Sequence, residues 1–133
     1  MGVRYVPPFE VLRGFVTITM VGEELTVTAP YDDFIEMIRT FIGGVEVDEA
    51  WYLEQYGDIA EAAKAGAIGS GKQHFLRNGY FEGRLPFPVK VDEQWYLEQN
   101  PGVADFIQKG LLETCQQHFD ENGYLEGRLP FGL

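Results

Sequence analysis

Residues 74–87 read HFLRNGYFEGRLPF, and residues 118–131 read HFDENGYLEGRLPF. A chain of 133 residues that repeats itself at an offset of 44 is expected to fold as two similar units, because the same local signals recur in the same order. Val47–Phe87 aligns on Val91–Phe131 without a gap, with about half of the positions identical. The identities gather in two blocks. One is VDEAWYLEQ against VDEQWYLEQ, and the other is H-F-x-x-N-G-Y-x-E-G-R-L-P-F. Between them the copies diverge, with Ala60/Ala104 and Gly66/Gly110 kept.

Each copy reads as three short helices. Asp48 and Asp92 stand at N-cap positions with a glutamate in the first turn. The first helix carries Trp-Tyr-Leu. In the second copy it stops at Asn100-Pro101-Gly102, where Asn100 is expected to cap the next helix with Pro101 at its first position. In the first copy Asp58 is the expected cap. The second helix runs to Gly66 or Gly110, each a C-terminal glycine. Ser70-x-x-Gln73 and Thr114-x-x-Gln117 fit capping boxes for the third, and Asn78-Gly79 and Asn122-Gly123 are expected to end it.

The tail G-Y-x-E-G-R-L-P-F holds two glycines and a proline, so it reads as an ordered strap returning to the first helix. Such a short repeat buries little core alone. The expectation is two stacked copies, each supplying the apolar face that the other lacks. Trp51 and Trp95 are expected to be largely buried at equivalent places.

WYLEQNPGVADFIQKG…HFDENGYLEGRLP resembles a bacterial tandem repeat of the pattern Y-L-x-x-N-P-D-V-x-x-A…H-Y/F-x-x-x-G-x-x-E-G-R-x-P. Such repeats stand beside glycosyltransferase domains of surface-polysaccharide assembly and in some large exported proteins. The likeness spans residues 47–131. This chain departs from the pattern at Gly102, where Asp is usual, and at Tyr56-Gly57-Asp58. The resemblance implies an accessory module and carries no catalytic residue with it.

The N-terminal third has a different character. GFVTITMVGEELTVTAP (residues 14–30) predicts a hairpin turning at Gly22-Glu23. Val21 then faces Glu24, Met20 faces Leu25, Ile18 faces Val27 and Val16 faces Ala29, with Thr19–Thr26 and Thr17–Thr28 on the other face. A slip of one residue would mix the two faces, so the register is well specified. YDDFIEMIRTFIGG follows as an amphipathic helix with Phe34, Ile35, Ile38, Phe41 and Ile42 on one side and Gly43 closing it. That helix is expected to cover the hairpin. The fold class is thus mainly α (α+β): a hairpin and helix over residues 1–46, then helical repeats over 47–90 and 91–133.

A net charge of −11 argues against nucleic-acid partners, since phosphate backbones repel it. The single Cys115 allows no internal disulfide, which suits a reducing cytoplasm. MGVRYVPPFEVLRGFV lacks the apolar stretch of a signal peptide, and no run reaches the roughly 18 apolar residues of a membrane span.

No serine, cysteine or carboxylate set forms a recognisable catalytic group, so the chain is expected not to be an enzyme and to need no cofactor. Cys115-x-x-His118 would put two metal ligands on one helical face, but no further cysteine exists to complete a shell. His74 and His118 hold equivalent positions and read as structural donors to backbone carbonyls. Arg84 and Arg128 read as partners of Glu54 and Glu98, since the short spacing from Glu82 or Glu126 does not by itself make a pair. As a second reading, Trp51, Trp95, Tyr52, Tyr96, Arg84 and Arg128 are candidate sugar contacts. The hairpin edge (Ile18, Thr17, Thr28) and the apolar C-terminus (Phe131, Leu133) are candidate protein contacts, by homodimerisation or by docking on a larger protein. The expected function is a non-catalytic interaction or adaptor module, which the resemblance above would place as an accessory subunit in bacterial envelope-polysaccharide assembly. The alternatives are a carbohydrate-binding module and a small accessory subunit of a larger enzyme.

Overall fold

The computed structural model describes residues 2–133 and is mainly helical with one two-stranded antiparallel sheet. The chain divides between Phe87 and Pro88 into two compact units. The N-terminal region and the first sequence copy lie together in one unit, and the second copy makes the other.

In the N-terminal unit, α1 (Phe9–Arg13) follows a Pro-Pro pair, and no motif in the sequence marks it. Strands β1 (Thr17–Val21) and β2 (Glu24–Thr28) pair as the alternation requires, from Val21–Glu24 at the tip to Thr17–Thr28 at the base. Gly22 supplies the positive φ, +62°, that the tight turn needs. Helix α2 (Tyr31–Ile42) opens with Asp32 and Asp33 near its positive end. It buries Ile42 and half-buries Ile38. It does not cover the hairpin as expected. Only the base of the sheet, at Ile18 and Val27, shares a groove with α1 and α2, while Met20, Val21 and Leu25 project into solvent. After α2 the chain takes up a short antiparallel contact with the N-terminal segment, through Arg4 N–H to Gly44 O (2.8 Å) and Glu46 N–H to Gly2 O (2.9 Å).

Three helices then follow: α3 (Glu49–Gln55), α4 (Gly57–Lys64) and α5 (Gly71–His74). Their counterparts in the second unit are α6 (Glu93–Gln99), α7 (Pro101–Gln108) and α8 (Cys115–His118). The caps follow the sequence closely. Asp48 and Asp92 accept from Trp51 N–H (3.1 Å) and Trp95 N–H (3.0 Å). Gly66 and Gly110, at φ +75° and +74°, close α4 and α7. Ala67 N–H reaches back to Ala62 O and Leu111 N–H to Phe106 O, both at 2.9 Å, the six-to-one bond of a Schellman cap. Ser70 and Thr114 cap the third helix as expected, but Gln73 and Gln117 answer the N–H one residue earlier, on Gly69 and Glu113.

The third helical run ends where Asn-Gly stands, at Gly79 and Gly123, but it ends as a π-turn and not as a plain α-helix. Both helices widen into a π-turn, Phe75–Gly79 and Phe119–Gly123, with Tyr80 N–H on Phe75 O and Tyr124 N–H on Phe119 O at 2.9 Å. The turn that follows closes at Gly83 and Gly127, with φ +81° and +80°. Gly79 and Gly123 have ordinary backbone angles and serve another purpose. A Cβ on either would overlap the hydroxyl of Tyr52 or Tyr96. The strap then returns as the sequence suggests: Asp48 N–H donates to Pro86 O (2.9 Å) and Asp92 N–H to Pro130 O (3.0 Å).

Each unit has a buried centre of its own residues. Ile42, Tyr52, Ile59 and Phe75 form the first, and Val91, Tyr96, Val103, Cys115 and Phe119 the second. The fully buried aromatic of the shared W-Y-L block is the tyrosine. Trp51 and Trp95 are only half-buried, against expectation. The N-cap points the helix so that the residue after each tryptophan faces inward, one position along from it.

These contacts set a test of packing. Gly79→Ala and Gly123→Ala should each lower stability by about 1–3 kcal/mol, because the new methyl meets a hydroxyl that cannot retreat. Gly102→Ala, in α7 with open space around it, should be neutral or stabilising by about 0.5–1 kcal/mol. Urea unfolding of the three variants checks both signs.

Candidate functional site

The chemically rich residues of each copy converge around the buried tyrosine. In the N-terminal unit, α3 places Tyr52 with no exposed surface, and its hydroxyl lies 2.8 Å from His74 Nδ1 at the end of α5. The other ring nitrogen, Nε2, is 3.4 Å from the Glu82 carboxylate. That carboxylate favours the proton on Nε2, so Nδ1 accepts from the tyrosine O–H. Burial lowers the His74 pKa, with the Arg84 charge acting in the same direction against Glu82 and Asp58. Burial also pushes the Tyr52 hydroxyl up to about 12. Both groups are held neutral. The second unit repeats the contact, with Tyr96 Oη 2.7 Å from His118 Nδ1. The histidines are structural, as the sequence suggests, but their partner is a tyrosine and not a backbone carbonyl.

The arginines bind neither Glu54 nor Glu98. Arg84 forks onto Asp58 through two bonds of 3.2 and 2.9 Å, with its Nε on Glu82 at 3.2 Å and its guanidinium 4.8 Å from the centre of the Tyr56 ring. The Arg84 fork holds the Asp58 carboxyl below its usual range. Tyr56 in turn accepts from Leu85 N–H (2.9 Å), fixing the strap. Arg128 bonds Glu126 at 3.2 Å and the side-chain oxygen of Asn100. Asn100 stands at the N-cap position of α7 with Pro101 first in the helix, as expected, but its side chain makes no cap bond. Its amide donates to Tyr96 O (2.9 Å), and its oxygen is taken by Arg128. Asp58 is not the cap of α4. The pairs across E-x-R, which short spacing does not by itself require, do form.

Sequence reasoning misses a third contact. Glu49 accepts from Gly71 N–H (2.9 Å) and Lys72 N–H (2.7 Å), capping α5 from the far side of the copy. Glu93 does the same for Cys115 N–H (2.9 Å) and Gln116 N–H (3.2 Å). Burial raises the Glu93 carboxyl, and its bonds from Cys115 and Gln116 outweigh that and leave it lowered. The signal in the sequence is the identical VDE at the head of both copies. Cys115 is fully buried, and burial pushes its thiol up to about 12, far from a thiolate nucleophile. Its Sγ approaches Glu93 O, and His118 Nδ1 is taken by Tyr96, so the C-x-x-H pair has partners other than a metal. Among the described residues, no group of three or more His, Cys, Asp or Glu side chains is arranged to hold a metal ion.

Of the candidate sugar contacts, Tyr52 and Tyr96 have no accessible ring face, so they cannot stack on a ligand. Trp51 is half-buried edge-on to Tyr56, with ring centres 6.1 Å apart, and Trp95 lies against Gly132. Arg84 and Arg128 are engaged within their own copies. The candidate protein contacts are different. Thr17, Ile18 and Thr28 on the hairpin are exposed, and so are Phe131 and Leu133 at the C-terminal end. No helix is long and apolar enough to cross a membrane among the described residues. No protein-family model matches the chain, and neither the curated proteins nor the solved structures compared with it give a match.

Two measurements test this arrangement. Tyr52→Phe leaves a buried imidazole nitrogen without its donor and should cost about 1–3 kcal/mol, and Tyr96→Phe should cost a similar amount. The pH dependence has a definite sign. His74 takes up its proton more readily unfolded than folded, so its contribution is complete above its unfolded pKa of about 6.5 and is lost as pH falls through the lower folded value. Asp58, also lowered, adds a loss at more acid pH. The thermal midpoint should therefore fall steadily from pH 7.5 towards acid, and a midpoint that rose between pH 7 and 5 would contradict the neutral-histidine assignment.

Proposed function

We propose that the chain is a non-catalytic protein-interaction module, an adaptor built on two three-helix repeats of 44-residue period, whose binding element is the N-terminal hairpin. The observation that supports this reading is the state of the sheet. Its register puts Ile18, Met20, Leu25 and Val27 on one face, and that face stays in water, with Leu25 71% exposed. A lone two-stranded sheet is marginal in water. An apolar face of this kind, with both strand edges unpaired, gains stability when a protein surface covers it. The groove at its base, lined by Phe9, Leu12, Val16, Phe34 and Met37, extends the same apolar surface onto α1 and α2.

The chemistry of the repeats agrees with this. Tyr52, His74, Glu82 and Arg84 of the first copy, and Tyr96 with His118 and Arg128 with Glu126 of the second, are engaged within their own copies, while the apolar face of the hairpin has no such partners among the described residues. A second copy of the chain is the simplest partner, since a flat apolar sheet face is self-complementary across a two-fold axis. The resemblance of the repeats makes bacterial envelope-polysaccharide assembly the setting in which a larger partner would be sought, and the reduced, buried Cys115 suits work in the cytoplasm.

Sedimentation velocity tests the homodimer. The chain of 15.1 kDa should sediment as a dimer, and Leu25→Glu, at the exposed tip, should return it to a monomer with an unchanged circular dichroism spectrum. A monomer at high concentration, together with a photo-crosslinker at position 25 that captures no protein from the source cells, would overturn the interaction reading as a whole.

A further inference from the structure

A second surface of the N-terminal unit carries unused chemistry. Helix α2 is fastened to the turn after α5 by Arg39. Its guanidinium donates to Leu76 O (3.3 Å) and Arg77 O (2.9 Å), pairs with Glu36, and lies 5.5 Å from the centre of the Phe81 ring. Beside this fastening runs a groove of about 560 Å³. Tyr31, Asp32 and Ile35 line it from α2, and Arg77, Asn78 and Phe81 line it from the turn. That volume lies within the range of small-molecule sites.

Its polarity narrows the ligand. Glu36 is paired with Arg39, and Glu82 takes the Nε of an Arg84 whose fork is on Asp58. What remains is one carboxylate, Asp32, one guanidinium, Arg77, and the Asn78 amide. None of these three side chains makes a hydrogen bond or ion pair with another described residue. Three carboxylates (Asp32, Glu36, Glu82) face two guanidiniums (Arg39, Arg77) in the lining, a small negative balance that disfavours an anionic ligand. The groove offers donors and acceptors in about equal measure, flanked by two aromatic rings. Tyr31 is 73% exposed, and Phe81 keeps 38% of its surface in solvent even with Arg39 beside it.

The second copy supplies an independent comparison. Its turn has the same π-helical form and the same tyrosine, histidine and glycine at its heart, yet it carries Glu121 and Leu125 where the first has Arg77 and Phe81. Neither Arg77 nor Phe81 is therefore needed to make the turn. We propose that this groove is a binding site for a neutral saccharide: a pyranose unit lying against the Tyr31 and Phe81 rings, with its hydroxyls on Asp32, Arg77 and Asn78. A sugar ring pairs apolar C–H faces with a rim of groups that both donate and accept, which is the pattern lining the groove. The site uses none of the residues of the hairpin face, so it stands or falls apart from the interaction reading.

Titration of the full, isotope-labelled chain with maltotetraose, cellotetraose, chitotetraose and xylotetraose, followed by amide chemical shifts, tests this. At least one should shift resonances confined to residues 31–36 and 77–82. Arg77→Glu and Phe81→Leu import the second copy's residues, so they should keep the fold while weakening that binding by about tenfold or more. Tyr31→Ala should do the same. If none of the four saccharides moves these resonances at millimolar concentration, or if binding occurs and the swaps leave it unchanged, the site is not there. Loss of dimerisation in Leu25→Glu should leave the titration as it was.

Discussion

Each copy is organised around a tyrosine hydroxyl that enters the third helix. Tyr52 has to reach His74 Nδ1, and the path is open only because residue 79 has no Cβ. The backbone around that hydroxyl is a π-turn, Phe75–Gly79, which ends at the same glycine. The bond also has to be made. A phenol and an imidazole buried without partners would each cost about 1–3 kcal/mol, a large fraction of what a unit this small has to spare. Tyrosine, histidine and glycine are thus one constraint expressed at three positions, and the second copy obeys it with Tyr96, His118 and Gly123.

Around this centre the two copies differ in a way that keeps the outcome. The arginine of the strap needs an acceptor near the junction of the first and second helices. The first copy offers the Asp58 carboxylate, with the Tyr56 ring below the guanidinium. The second has glycine at the place of Asp58 and offers the Asn100 amide at the place of Tyr56 instead. A long, planar side chain with several donors reaches either position of the same junction. The acceptor differs, and the strap is held in both.

Much of this is legible in the sequence. The hairpin register follows from alternation, because only one pairing separates threonines from aliphatic residues. The aspartate caps, the serine and threonine caps, and the glycines closing α4 and α7 follow from local backbone chemistry. The departures are non-local. Glu54 on the first helix is the expected partner of Arg84, while its actual partner Asp58 lies on the next helix. Asn78-Gly79 has the composition of a helix stop, although its glycine answers a side chain from α3. Trp51 is the largest residue of its block and so the natural candidate for the core, while the direction of the helix puts Tyr52 there. The groove between α2 and the turn has no sequence signal, since its two walls lie some forty positions apart and show no shared motif.

The sequence by itself determined the period, the hairpin register, the three-helix order within each copy and most helix ends, because each depends on residues a few positions apart whose steric and hydrogen-bonding preferences act locally. The tertiary structure alone decided which aromatic is buried, which acceptor each arginine takes, why two glycines are required within a helix, and which apolar and polar surfaces remain open. Those outcomes depend on which groups meet across twenty or more residues of chain, and a residue's own preferences do not specify the group that will stand opposite it.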